Sequence, residues 1–258
     1  MIDIIAPTAL LSEFAGYGDR YHLCLSHKIL SDDVYAEYYR RQCTNGAFTI
    51  LDNSCHEFGE GNTVESLQRA VDLIEPNEVV LPDRLFFGDD TAELSEEAYN
   101  VLKTKYPTLR FVGVPQGRTL DEWLFCLNRL LEIGVDTIGV SKDYEPWPGG
   151  LPRLVELVID NANRVRISRH QVAIEIHLLG WGRRLYDLQD IVQMFGDSVR
   201  GVDSAKPLVY ASAGISLPEE ITYTNCPPYP KRNGFFGLTS IDHDLAIHNI
   251  NVFRRHAN

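Results

Sequence analysis

No run of this chain approaches the roughly 18 to 20 apolar residues that a membrane helix needs, and its opening, MIDIIAPTALLSEF, lacks the basic start of a secretory signal. A cytoplasmic protein without a membrane partner is expected. Paired cysteines are lacking too. The five present (Cys24, Cys43, Cys55, Cys126, Cys226) are an odd number without paired spacing, which fits free thiols in a reducing compartment rather than a disulfide framework. Zinc needs about four clustered Cys or His ligands, and Cys226 has only the distant His243 and His248 after it, so no metal is expected. Positive charge is also short. With 24 Lys and Arg against 36 Asp and Glu, the net charge of −12 argues against nonspecific clamping of a phosphate backbone. Local basic clusters remain as candidate phosphate contacts: Arg164, Arg166 and Arg169; Arg183 and Arg184; Lys231 and Arg232; Arg254 and Arg255.

What is present is an ordinary globular composition, 44% hydrophobic and 23% charged, in 258 residues, a length that suits one large α/β domain. Short β-branched or apolar runs alternate with amphipathic stretches of helical length, the signature of βα units around a parallel sheet. Seven runs read as strands: Tyr21 to Ser26, Ala47 to Asp52, Glu78 to Pro82, Arg110 to Pro115, Asp136 to Val140, Val172 to His177 and Val199 to Val202. An eighth is sought in Leu208 to Ala211 or in Gly234 to Thr239. The clearest helix is Thr119 to Ile133, where Leu120, Trp123, Leu124, Leu127, Leu130 and Leu131 recur at helical spacing before Gly134. Others are expected at Asp33 to Arg41, Thr63 to Ile74, Ser95 to Lys105, Leu151 to about Arg169, Leu185 to Phe195, and Asp242 to about Arg255. The pattern predicts a single (β/α)8 TIM barrel domain over residues 1–258.

In such barrels the site is built from the C-terminal ends of the strands. The residues that follow the apolar runs are therefore informative: Asp52-Asn53-Ser54, Asp83, Gln116-Gly117, Ser141-Lys142, His177-Leu178-Leu179-Gly180 and Asp203-Ser204. Two converging carboxylates suit chemistry at an anomeric carbon, one attacking and the other handling the leaving group's proton. A third carboxylate beside a carboxamide suits a purine edge. The carboxylate accepts the N1–H and 2-amino protons of guanine, and the amide donates to O6. His177, inside a strand-like run, reads as a satisfied core histidine rather than a base.

These residues resemble the tRNA-guanine transglycosylase superfamily, and within it the phage-type DNA 7-deazaguanine transglycosylases. The similarity runs from about Leu25 to Ile215 through SHKILSDDVYAEYYRR, FTILDNSCHEFGEG, VVLPD, GVPQG, HLLGWG and GVDSAKP. It implies that Asp203 is the nucleophile and Asp52 the general acid/base. Asp83 and Gln116 would read the base edge, the backbone near Ser141 and Gly180 would add hydrogen bonds, and Leu179 would pack on one ring face. His56 or Phe58 would pack on the other. The implied activity is a pentosyltransferase replacing guanine in DNA with a free 7-deazaguanine base, with no cofactor; a homodimer or an accessory protein is compatible with it. The tRNA enzymes carry a Cys-x-Cys-x-x-Cys plus His zinc element after the nucleophile, where this chain runs SAKPLVYASAGISLPEE. That departure favours DNA over tRNA and a barrel without the zinc-binding subdomain. Guanine exchange on tRNA is the nearest alternative, and a noncatalytic nucleobase-binding subunit another.

Overall fold

The computed structural model describes the chain except residues 18–19, 170–173, 182–184, 197, 223, 231–233 and 257–258, and the side chains of 166–169 and 185–186. Eight parallel strands form a (β/α)8 barrel: β1 (Ile2–Ile4), β2 (Tyr21–Leu25), β3 (Phe48–Asp52), β4 (Glu78–Val80), β5 (Arg110–Gly113), β6 (Thr137–Ser141), β7 (Glu175–Leu179) and β8 (Val199–Ser204). Their ladder runs β1-β8-β7-β6-β5-β4-β3-β2. Between β2 and β1 the seam is crossed by a side chain: the buried Asp3 accepts the Leu23 N–H at 2.9 Å.

The eighth strand is therefore the N-terminal Ile2–Ile4. Neither expected candidate is a strand: Leu208 to Ala211 lies in the helix Lys206–Ser212, and Phe235–Gly237 forms a 3-10 turn. Pro207 at the start of that helix supplies a preset φ where no N–H is needed. The expected strand from Val172 starts at Glu175 and reaches Leu179; residues 172 and 173 lie outside the described ones.

The helices follow the apolar spacing closely. Leu120–Ile133 begins at Thr119, whose hydroxyl accepts the Glu122 N–H, and ends at Gly134 with φ of 92°. Val64–Ile74 starts in the same way at Thr63. Gly88–Lys105 begins seven residues before the expected Ser95, because Asp89 and Asp90 suit a first turn. Its start is packed so closely that a Cβ on Gly88 would sit 2.8 Å from the Gln116 carbonyl. The last helix is His243–His256. Among the described residues no helix is long and apolar enough to cross a membrane.

Strand alternation sorts side chains into layers inside the barrel. Tyr21, Leu23, Leu25, Ile50, Val80, Val112 and Val114 form a buried interior cluster, separate from the larger core between strands and helices. Following the same parity upward, Ile50 leads to Asp52 and Val114 to Gln116. Gly139 leaves room inside for Leu179, whose Cδ1 would lie 2.7 Å from a Cβ there.

Candidate active site

Above the interior cluster the strand ends surround a cavity of about 700 Å³. Asp52, Asp83, Gln116 and Asp203 all line it, together with Ser141, Leu179, Gly180 and His56. Phe58 does not. Ser54 and Gly59, both at positive φ, bracket a single helical turn Cys55–Phe58. That turn leaves His56 on the cavity wall and sends Phe58 outward, 60% exposed, with its ring edge-on to His27 at 5.1 Å. Of the two residues expected to pack on the ring face opposite Leu179, only His56 lines the cavity. Its Nδ1 lies 3.4 Å from Asp143, whose carboxyl it holds below the ordinary range.

Asp83 and Gln116 are joined in one network. Gln116 Nε2 donates to Asp83 Oδ2 at 2.5 Å, and Asn53 Nδ2 donates to Asp83 Oδ1 at 2.7 Å. The orientation of the Gln116 amide follows from its neighbours. Its Oε1 accepts the Phe86 N–H, which can only donate, at 3.1 Å, and with the amide so placed the same oxygen accepts the Tyr144 hydroxyl at 2.7 Å. One Nε2 proton and the unused carboxylate lone pairs remain for a ligand. Burial pushes the Asp83 carboxyl up, and the Asn53, Cys55 and Gln116 donors pull it partly back.

The two other carboxylates differ in surroundings. Among the described residues Asp52 accepts only the Ser54 N–H, at 2.7 Å; burial pushes its carboxyl well above the ordinary range, and the Glu57, Asp203 and Asp83 charges push the same way. It is thus poised to hold a proton at a pH where an exposed aspartate has lost it. Asp203, 6% exposed, accepts two donors on one oxygen: His177 Nε2 and the Gly180 N–H each lie 3.0 Å from Oδ1. Among the described residues no hydrogen bond reaches Oδ2. The Gly180 N–H, expected on a bound base, is thus engaged by Asp203.

No protein-family model matches the chain, and no curated protein is similar to it. Among the solved structures similar to it are an aldolase and a glycosidase. The chain is 15% identical to QR15, an aldolase, over 76% of this chain and 81% of that one, with a TM-score of 0.51. It is 10% identical to AbfB, a family 51 α-L-arabinofuranosidase from Bifidobacterium longum, over 66% and 49%, with a TM-score of 0.44. The first likeness supports the barrel fold and nothing finer.

Sequence reasoning missed several wall residues. Asn53 stood beside Asp52 as a turn former, yet it is buried and fixes Asp83. His177 is satisfied and buried as expected, but one of its partners is Asp203. Lys206, Trp181 and Phe236 come from segments beyond the strand ends, where no alternation marks them. Of the basic clusters, Arg183, Arg184, Lys231 and Arg232 and the side chains of Arg166 and Arg169 lie outside the described residues. Arg255 pairs with Glu219, and Arg254 donates to the Tyr17 carbonyl. Among the described residues no group of three or more His, Cys, Asp or Glu is arranged to hold a metal ion.

Proposed function

We propose that the protein replaces a guanine in DNA with a 7-deazaguanine by base exchange, through a glycosyl-enzyme on Asp203. What carries the reading is that two carboxylates in unlike surroundings share one cavity with an Asp83–Gln116 pair that presents lone pairs and one amide proton. Guanine offers the complementary edge: N1–H and 2-amino donors for Asp83, and O6 for the Gln116 N–H.

In the first half-reaction an Asp203 oxygen bonds to C1′ as the bond from C1′ to the base nitrogen breaks, through an oxocarbenium-like transition state. Asp52 gives its proton to the departing guanine. The target nucleotide reaches the cavity extruded from the duplex or from single strand, at a cost of about a few kcal/mol in the former case. A 7-deazaguanine then takes the same place, Asp52 accepts its ring N–H proton, and the freed nitrogen displaces Asp203 from C1′. Protons and charges balance over the cycle, and no oxidant or energy source enters.

The chain between Ser204 and Glu220 supports DNA over tRNA, because it lacks the cysteines that the tRNA enzymes place there. The loop after β4 adds a surface suited to a polynucleotide. Phe86 and Phe87 are 41% and 37% exposed, and the Arg118 and Arg84 guanidinium groups lie 4.1 and 4.8 Å from the Phe87 ring centre. The decisive experiment incubates the protein with labelled guanine-containing DNA, or tRNA, and a 7-deazaguanine, and follows label release and protein mass. Release of guanine from DNA with a transient adduct on Asp203 supports the proposal. Exchange on tRNA alone moves the substrate to RNA, and the absence of any exchange or adduct rejects it.

A further inference from the structure

Beneath Asp203 a line of polar side chains runs down the inside of the barrel. Asp203 Oδ1 meets His177 Nε2 at 3.0 Å, His177 Nδ1 meets the Tyr21 hydroxyl at 2.8 Å, and the Tyr21 oxygen meets Arg200 Nε at 3.3 Å. The Arg200 side chain is 7% exposed and is fixed at the far end. Its Nη1 lies 2.7 Å from Glu175 and 3.0 Å from both Glu78 and Thr137, its Nη2 also meets Glu78, and its guanidinium covers the Phe48 ring at 4.9 Å. The hydroxyl of Tyr21 occupies its place because residue 201 is glycine: a Cβ there would stand 2.7 Å from it.

The Arg200 end of this line is fixed by chemistry. A guanidinium only donates, so the Tyr21 oxygen accepts from Arg200. Burial holds the Tyr21 phenol far above its ordinary value, so its proton stays on and is available to His177 Nδ1, 2.8 Å away. A neutral imidazole that takes this proton has a bare Nδ1 and an Nε2–H facing Asp203 Oδ1 at 3.0 Å. With the Gly180 N–H on the same oxygen, both donors converge on Oδ1.

We propose that Arg200, Tyr21 and His177 form a relay that sets the tautomer of His177 and, through it, turns Oδ2 of Asp203 toward the anomeric carbon. His177 and Tyr21 are positioning residues for the nucleophile, acting on the covalent step and not on base recognition. The proposal rests on the reading of Asp203 as nucleophile.

Two measurements test it. In the intact protein labelled with 15N-histidine, the His177 resonances, assigned by their loss in His177→Gln, are expected to show a protonated Nε2 and a bare Nδ1. A proton on Nδ1 overturns the relay whether or not the protein exchanges bases. In single-turnover trapping of the glycosyl-enzyme, His177→Phe is expected to slow adduct formation by about 10- to 100-fold, the range for losing a hydrogen bond to a charged group, with the KM for the free base unchanged. Tyr21→Phe should slow it less, and His177→Gln, which keeps an N–H donor, should restore much of the rate. Adduct formation at the parent rate in both His177→Phe and Tyr21→Phe overturns the relay. Should His177→Phe fail to fold, Tyr21→Phe and His177→Gln still carry the rate test. Failure of the unaltered protein to form adduct on DNA and on tRNA rejects the transglycosylase reading instead, and the tautomer measurement then decides the relay by itself.

Discussion

At the N-terminal end of the barrel Arg200 and Arg110 meet Glu78 and Glu175, with Thr137 bonded to both Arg200 and Glu78. At the C-terminal end Asp52, Asp83 and Asp203 gather around a cavity and are met by amide, imidazole and backbone donors. The same strands supply both ends: β4 carries Glu78 at its start and leads to Asp83, and β8 holds Arg200 three residues before Asp203. Opposite charges at the base pair with one another. At the top, burial raises the proton affinity of Asp52 and Asp83, and for Asp52 the neighbouring acidic charges add to it.

Substitutions at each end sharpen that contrast. The largest effect is expected from Asp203→Ala, which should reduce base exchange by about 10⁴-fold or more, as loss of a covalent nucleophile does, with the circular dichroism spectrum unchanged. Next is Glu78→Ala at the base. Leaving Arg200 buried without its main partner should lower unfolding free energy by about 3–5 kcal/mol in urea titrations. Gln116→Leu should raise the KM for the free base by about 10- to 100-fold, because Asp83 loses a donor and the ligand loses one too.

Asp52 offers a pH test with a defined sign. Its folded-state carboxyl sits above the unfolded value of about 3.9. The folded protein therefore keeps a proton that the unfolded chain releases, and stability present below about pH 4 is lost as pH rises toward the folded value. Asp52→Asn, free of that loss, should melt a few degrees above the parent at pH 8 and not at pH 4, while releasing no guanine. The smallest effect is expected at the rim. Phe58→Ala should change the KM for the free base by less than about twofold, as a surface substitution does, whereas Phe236→Ala, on the cavity wall, should raise it more.

Most of the barrel was legible because its strands are compact apolar runs separated by well-marked helices. β1 was not, since Ile2–Ile4 is three residues long with a charge at its centre. The buried Asp3 accepts the Leu23 N–H and lies beside His22, both on the distant strand β2, which no local pattern announces. The four polar side chains at the rim were legible because parallel barrels collect strand ends at one face. The sequence did not reveal how they bond to one another. Gln116 and Asp83 are direct partners, and of the alternatives His56 and Phe58 the latter points outward because the left-handed Ser54 turns the next four residues in a way that residue identity does not encode. His177 shows a subtler limit: its burial was expected, but the partner that makes it matter comes from another strand.

The pinned amide of Gln116 has a consequence for selectivity. A glutamine free to rotate can present either its oxygen or its nitrogen and so accommodate opposite edges. Here rotation would turn the amide oxygen onto the Asp83 carboxylate and point N–H groups at the Phe86 N–H, so it is barred from both sides. A heterocycle entering the cavity always meets a proton from residue 116, and a ring with an amino group at that position finds two donors facing each other. Discrimination between a carbonyl and an amine would thus reside partly in the contacts of residue 116 with Phe86 and Tyr144, behind the amide.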